Sequence, residues 1–448
     1  MQTVLPGRLA RVLGLSDLVF IVLGTVIGSG IFLVPGPVLR QSGGRVRVAL
    51  AVWVGGGVLA FLGALTYAEL GAMQPDAGGI YVYLRDAFGR LPAFLFGWTM
   101  FFVIASGSVA TLAVASTTYL GQLLPLSPVG ARIVSLGVIG ALAALNIRGT
   151  RESARVQDWA TAIKIGAIVL MSVALLALSG HASGAAGLTG ASPAVALPRP
   201  GAAGVGVAMV AALWAYEGWP YVTFSAGETR DPQRTLPLGI AIGVAILVAI
   251  YLLANLAYVA ALGAPAVAQS DHVASDAMRV VLGPTASRAL TVIVLISVCS
   301  AANAIILTAP RVFYAMASDG LFFRRLSEVH PRFGTPALAI AAMALWSMVL
   351  AATGTFEQLL TYVVFTAWIF YGLGALSVFV FRRTRPDVPR PFRVPGYPWT
   401  PALFVAAALG IVVSTLIGQP VRAAVGLAVV LAGLPAYLIW RKGSRGAR

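Results

Sequence analysis

The chain predicts an all-α membrane protein with twelve transmembrane helices, and three observations carry that reading. Hydrophobic residues make up 59% of its 448 residues and charged residues only 10%, where soluble domains average about 25% charged. Runs of about 20 apolar residues, the length that crosses a bilayer core, recur along the whole chain. Two of those runs carry helix-weakening segments at mid-span. Residues 24–32 read Gly-Thr-Val-Ile-Gly-Ser-Gly-Ile-Phe, and residues 214–220 read Trp-Ala-Tyr-Glu-Gly-Trp-Pro.

The expected spans are 17–39, 48–71, 92–121, 130–146, 157–179, 203–226, 236–262, 286–317, 336–353, 358–381, 400–417 and 422–440. The first holds the Gly24–Phe32 break. A glycine costs a helix interior about 1 kcal/mol and a proline about 3. Irregular backbone at membrane depth is tolerated only where it is buried in protein or lines a cavity. This span is too long for a cleavable signal peptide, and no small-residue cleavage pattern follows it. The second span reaches Glu69 near its cytoplasmic end, while the third and fourth carry no charge at depth. The fifth contains Lys164, the only lysine within a span, about seven residues from its start. The sixth holds the second break, the eighth holds Cys299 and Asn303, and the seventh, ninth and tenth are plainly apolar. Residues 384–401, rich in proline and arginine, read as an irregular cytoplasmic link to the last two spans. The longest connections, near 180–202 and 263–285, leave no room for a large soluble domain. The whole of 1–448 reads as one transmembrane domain.

Net charge is +16, which in a soluble chain suggests nucleic acid. Here topology accounts for it, so no nucleic acid partner is expected and the partner at the surface is membrane lipid. With both termini inside, 22 of the 31 basic residues fall in cytoplasmic segments, from Arg8 through Arg445 and Arg448, and eight, including Arg132, Arg199 and Arg279, fall outside. That bias orients the chain with cytoplasmic termini. Arg40, Arg45 and Arg47 depart from it. The single cysteine excludes a disulfide framework within the chain, and His181, His272 and His330 have no second ligand at a useful spacing, so neither a metal nor a cofactor is expected.

Five spans, an odd number, separate the two breaks. Residues 17–179 and 203–381 would therefore lie in opposite orientations as inverted repeats, with 400–440 outside them.

Several motifs belong together. They are Gly24 to Phe32; Tyr67-Ala-Glu-Leu-Gly-Ala-Met-Gln-Pro-Asp-Ala-Gly-Gly-Ile-Tyr-Val-Tyr-Leu followed by Ala87-Phe88-Gly89; Ala215-Tyr-Glu-Gly-Trp; Gly227-Glu-Thr-Arg-Asp-Pro-Gln-Arg-Thr-Leu-Pro237; and Arg311-Val-Phe-Tyr-Ala-Met-Ala-Ser-Asp-Gly-Leu. Together they resemble the amino acid–polyamine–organocation superfamily, close to its L-type amino acid transporter branch, over residues 8–440. The resemblance implies a LeuT-type fold, a five-plus-five inverted repeat with helices 1 and 6 broken, and alternating-access transport of amino acids. Animal L-type members pair with a glycoprotein through a cysteine after the third span. Residues 122–129 contain none, so no disulfide-linked subunit is expected.

The candidate substrate site joins the two breaks. A helix interrupted at Gly28, Ser29 and Gly30 exposes the N–H groups of its second half, through Ile31, which suit a carboxylate. Carbonyls near Val26 and Ile27 suit an ammonium group. The alternative is close packing, since Gly24 and Gly28 form a small-xxx-small pair. From the other break, the carbonyls of Trp214 and Ala215 would share the ammonium, with Tyr216, Glu217 and Gly218 completing the site. By resemblance, the aromatic residue at Trp214 covers the substrate as a gate; otherwise it packs between helices.

Many L-type members have glycine at the position of Glu217, although acidic residues occur among bacterial relatives. An intramembrane carboxylate is functional by default. Glu217 is expected to carry a proton, to face a substrate amine, or to cap freed N–H groups. Lys164, by resemblance, stands where related carriers bind sodium and bridges to the first break; snorkelling or an ion pair with Asp158 are the alternatives. Asn303 touches the substrate or bonds between helices. Glu69, Glu228 and Asp231 read as ion pairs at cytoplasmic span ends.

The function expected is sodium-independent secondary transport of neutral L-α-amino acids, by exchange or coupled to protons. A carrier of cationic amino acids or polyamines is the alternative. An intramembrane enzyme lacks a nucleophile–base pair or metal ligands at depth.

Overall fold

The computed structural model describes residues 11–182, 202–354 and 356–443. Arg8, Arg199, Arg445, Arg448 and nearly all of the 180–202 connection lie outside them, as does the side chain of His181.

The described chain is helical. Its elements are α1 (Leu15–Val26), α2 (Gly30–Leu33), α3 (Pro35–Gln41), α4 (Val46–Met73), α5 (Ile80–Phe88), α6 (Arg90–Thr99), α7 (Ala105–Leu120), α8 (Pro128–Arg148), α9 (Thr150–Ala182) and α10 (Ala202–Ala215). They continue with α11 (Pro232–Leu262), α12 (Ala264–Gln269), α13 (Val273–Thr308), α14 (Pro310–Ser318), α15 (Ala337–Thr353), α16 (Phe356–Thr384), α17 (Trp399–Gly418) and α18 (Pro420–Gly443). A π-helical stretch, Met100–Ile104, joins α6 to α7, and a 3₁₀ stretch, Trp219–Glu228, follows α10. Among the described residues, ten helical spans, counting α1 with α2, α6 with α7 and α13 with α14 as one each, are long and apolar enough to cross a membrane. The apolar α15, at 17 residues, falls short of that length, and α10 stops at Ala215.

The sequence marks both irregular points. The first is Ile27 to Ser29, between α1 and α2. The second turns on Gly218, whose φ of 114° is a left-handed conformation that only glycine adopts readily. Pro220 then brings no N–H to continue an α-helix. The two breaks meet, because Thr25 Oγ1 donates to Gly218 O at 3.1 Å. A Cβ on Gly218 would stand 2.9 Å from Thr25 O. Around this junction α11 packs along α4 and α1, while α9 packs along α13. Ala64, Leu213, Val294 and Ile306 are among the residues buried there.

The helices differ from the expected spans at particular places. The fifth begins at Thr150, not 157. The polar run after Gly149 contains no helix breaker, and Glu152 sits in the first turn, where an acidic side chain stabilises the helix dipole. Lys164 is therefore about four turns from the helix start, twice as deep as expected. The connection expected over 263–285 is largely helical: α12 and the first part of α13 occupy it, with a kink at Gly283 (φ 85°) before Pro284. Residues 385–398 are irregular, as expected. Arg40, one of the misplaced cations, donates to Ala268 O at 2.7 Å and lies 3.8 Å from Asp271. It fastens the end of α3 to the connection after α12.

Candidate functional site

A small cavity lies between the two breaks, lined by Thr25, Val26, Gly28, Ser29, Gly30, Ser108, Leu112, Trp214, Glu217, Gly218, Tyr221 and Ile305. Its volume is about 20 Å³, room for roughly one water. An amino acid enters only if the helices around it part.

The first break leaves donors without backbone partners. Backbone hydrogen bonding resumes only at Phe32 N, which donates to Ser29 O at 3.1 Å. Ser29 Oγ is buried and has no hydrogen-bond partner among the described residues. A carboxylate is the ligand these donors suit. The carbonyls of the same break are differently placed. Ile27 O accepts from Lys164 Nζ at 2.7 Å and from Ser297 Oγ at 3.1 Å. Val26 O accepts from Gly28 N at 2.8 Å and from Tyr251 Oη at 3.1 Å. A carbonyl oxygen has two lone pairs, so Ile27 O is filled, whereas the one Tyr251 proton lies closer to Ala215 O, at 2.9 Å, and leaves Val26 O a lone pair for an ammonium.

At the second break, Ala215 O accepts from Tyr251 Oη at 2.9 Å and Trp214 O accepts from Glu217 N at 3.1 Å. Glu217 borders the cavity, and its Oε1 accepts a short hydrogen bond from Tyr371 Oη on α16. No described hydrogen bond runs from a freed N–H group to its carboxylate, so the helix cap expected of it is not what this side chain forms.

Lys164 is fully buried on α9 and donates to Gly24 O at 2.9 Å as well as to Ile27 O. Neither snorkelling nor an ion pair with Asp158 describes it. The ammonium closes the open side of the first break.

The remaining expected residues stand away from the cavity. Tyr216 Oη donates to Trp53 O at 3.1 Å, and its ring packs on Trp53 and Tyr251. Ala215 backs onto Gly30, and Ile31 is buried in the core. Asn303 sits in a polar network between helices. It accepts from Asn146 Nδ2 at 2.8 Å and donates to Gln157 Oε1 at 3.2 Å. Gln157 in turn donates to Thr161 and Ser300, both at 3.0 Å.

Sequence reasoning did not find Ser108, Leu112, Tyr221, Ile305 or Tyr371. Small hydroxyl residues and aromatics recur throughout the spans, so nothing local distinguishes these few. Their significance comes only from folding two distant breaks together.

At the span ends expected to be cytoplasmic, Glu228 and Glu69 are paired. Glu228 receives Arg311 Nε at 2.6 Å and Nη2 at 2.9 Å, and Thr150 Oγ1 at 2.9 Å, all buried. Its backbone oxygen accepts from Val12 N at 2.8 Å and Leu13 N at 3.0 Å. Glu69 receives Arg382 at 2.9 and 2.7 Å and Val394 N at 2.7 Å. Asp231 instead occupies a left-handed turn before α11 and enters none of the described ion pairs. Among the described residues no group of three metal-ligating side chains gathers.

A family model described as amino acid permease matches residues 13–439. The human cystine/glutamate transporter is 31% identical over 99% of this chain and 89% of its own length. The Bacillus subtilis serine/threonine exchanger SteT is 30% identical over 97% of this chain and 98% of its own. The human b(0,+)-type amino acid transporter 1 is 34% identical over 92% and 84%.

Proposed function

The chain belongs to the amino acid permease family and is a transporter rather than an enzyme, and on that premise we propose that it carries neutral L-α-amino acids across the cell membrane by alternating access without sodium. The observation that carries this reading is the cavity between the two breaks. There Ser29 Oγ and the N–H groups of Ser29 and Gly30 border the cavity without partners among the described residues. They suit a carboxylate. The ammonium would turn toward Val26 O and the second break, since the carbonyl of Ile27 is taken by Lys164 and Ser297.

Two further features support the mechanism. Lys164 Nζ occupies the Gly24 and Ile27 carbonyls of the first break, oxygens that a mobile cation would otherwise coordinate. On this reading the ten long spans, with α15 and the α10 segment added, would make twelve crossings and leave both termini on the cytoplasmic side. The two breaks would then belong to inverted five-helix repeats of the LeuT type. Cys299 lies within α13, so pairing by disulfide to a second subunit is not part of this reading.

A second reading is favoured by one observation: Glu217 faces the cavity and enters no described ion pair. A cationic side chain on the substrate would neutralise it. Uptake of labelled alanine, leucine, serine, arginine and putrescine into proteoliposomes separates the readings. Neutral substrates transported with choline in place of sodium support the first. Transport confined to arginine or putrescine supports the second, and sodium dependence refutes the mechanism.

A further inference from the structure

Among the described residues, Glu217 is a buried carboxylate with no cation in ion-pair distance. Its residual exposure is 9%, and the side-chain hydrogen bond described for it comes from the Tyr371 hydroxyl. Keeping such a group charged is costly, and it is relieved by a proton or by a cation. The donor that faces it is itself held on every side. The backbone oxygen of Tyr371 accepts from Tyr67 Oη at 2.9 Å. Its ring centroid lies 6.1 Å from that of Trp219 and 6.2 Å from that of Trp368. Gly374, on the next turn of α16, leaves room for the Tyr67 hydroxyl where a Cβ would stand. Tyr371 therefore has little freedom to follow the carboxylate or to release it.

We infer that Tyr371 is the positioning residue for a proton-carrying Glu217. The phenol holds Oε1, and the carboxyl group, which borders the cavity, takes a proton from the outer side and releases it inward in each uptake cycle. One O–H bond forms on Glu217 as outside water gives up a proton, and the same bond breaks as inside water accepts it. The inference rests on the reading that the cavity binds the transported amino acid.

The direction of the effect follows from the hydrogen bond. A donor to the carboxylate favours the charged form, so it helps Glu217 to give its proton up. Among the described residues, the other titratable side chains near Glu217 are the phenols of Tyr67 on α4 and Tyr221 on the 3₁₀ stretch. Lys164 is committed to Gly24 O and Ile27 O.

Alanine uptake into proteoliposomes is measured from pH 5 to 8, at clamped potential, for the full chain and three variants. Tyr371→Phe displaces the pH profile to higher pH by about one unit, because the proton is then harder to lose. Glu217→Gln flattens the profile. The double variant is as flat as Glu217→Gln alone, since Tyr371 acts through the carboxylate. The inference is overturned if Tyr371→Phe lowers uptake by one factor at every pH, or if Glu217→Gln keeps the original profile. The latter result decides even if the Phe variant fails to fold. Uptake by the unmodified chain that ignores pH sinks this inference alone, whereas an unmodified chain that transports no amino acid removes the reading beneath it.

Discussion

Lys164 Nζ reaches two carbonyls of another helix from a fully buried position. Hydrogen bonds from a charged donor contribute about 1.5–3 kcal/mol each. Lys164→Ala is expected to slow turnover on the order of tenfold or more while KM moves less, because the bonds join α9 to the first break rather than to substrate. Initial rates over a range of alanine concentrations measure both. Gly30 teaches a different lesson. The sequence suggests a glycine kept small for the substrate carboxylate, but a Cβ there would meet Ala215 Cα at 2.5 Å and Ala215 Cβ at 2.7 Å. Gly30 is small because the two broken helices touch. Gly30→Ala is expected to abolish uptake and to destabilise by about 1–3 kcal/mol through overpacking. Adding Ala215→Gly should restore part of the thermal stability in detergent; no recovery would mean that the contact is not the cause. Residues of the breaks were legible because glycine, proline and a mid-membrane glutamate violate helix rules. Tyr371 and Ser108 violate none, so they stay silent until the fold brings them to the cavity.

Elements were legible where hydropathy changes sharply and less so where helix continues into polar sequence. Thr150 to Gln157 carries charge and hydroxyls, so it reads as loop, yet it forms the first turns of α9. There its polar groups serve as partners: Thr150 for Glu228 and Arg311, Ser153 and Gln157 for Asn303. Gly283 and Pro284 read as a loop because either residue weakens a helix; together they make a kink between two helical pieces. The buried pair Glu228–Arg311 joins the 3₁₀ stretch to α14, and the backbone of Glu228 also holds the chain entering α1. Removing one partner of a buried ion pair typically costs about 3–5 kcal/mol. Arg311→Ala should lose stability on that scale in a detergent melt. Arg311→Met with Glu228→Leu, which removes both charges, should lose much less. Equal losses would show that the pair is not what couples these elements.

At the scale of the molecule, charge distribution carries the topology. The basic surface that the proposed orientation turns to the cytoplasm is anchored by acidic partners: Arg85 bonds Asp86 and Asp319 at 2.8 Å, and Arg385 bonds Asp86 at 3.2 Å. Arg40, on the opposite side by this reading, has partners of its own and need not obey the bias. In a Cys299→Ser background, a membrane-impermeant maleimide added to intact cells should label Arg40→Cys but label Arg385→Cys only after permeabilisation. The reverse pattern inverts the proposed orientation.

The junction of Thr25 with Gly218 also bears on how such a chain changes over generations. The left-handed turn of one half is seated on the carbonyl of the other, and the hydroxyl of the first reaches back to the second. Neither position can drift alone. A library that randomises codons 25 and 218 together, selected for growth on a transported amino acid, should return glycine at 218 almost without exception. At 25 it should return a short list that retains a hydroxyl, with serine beside threonine.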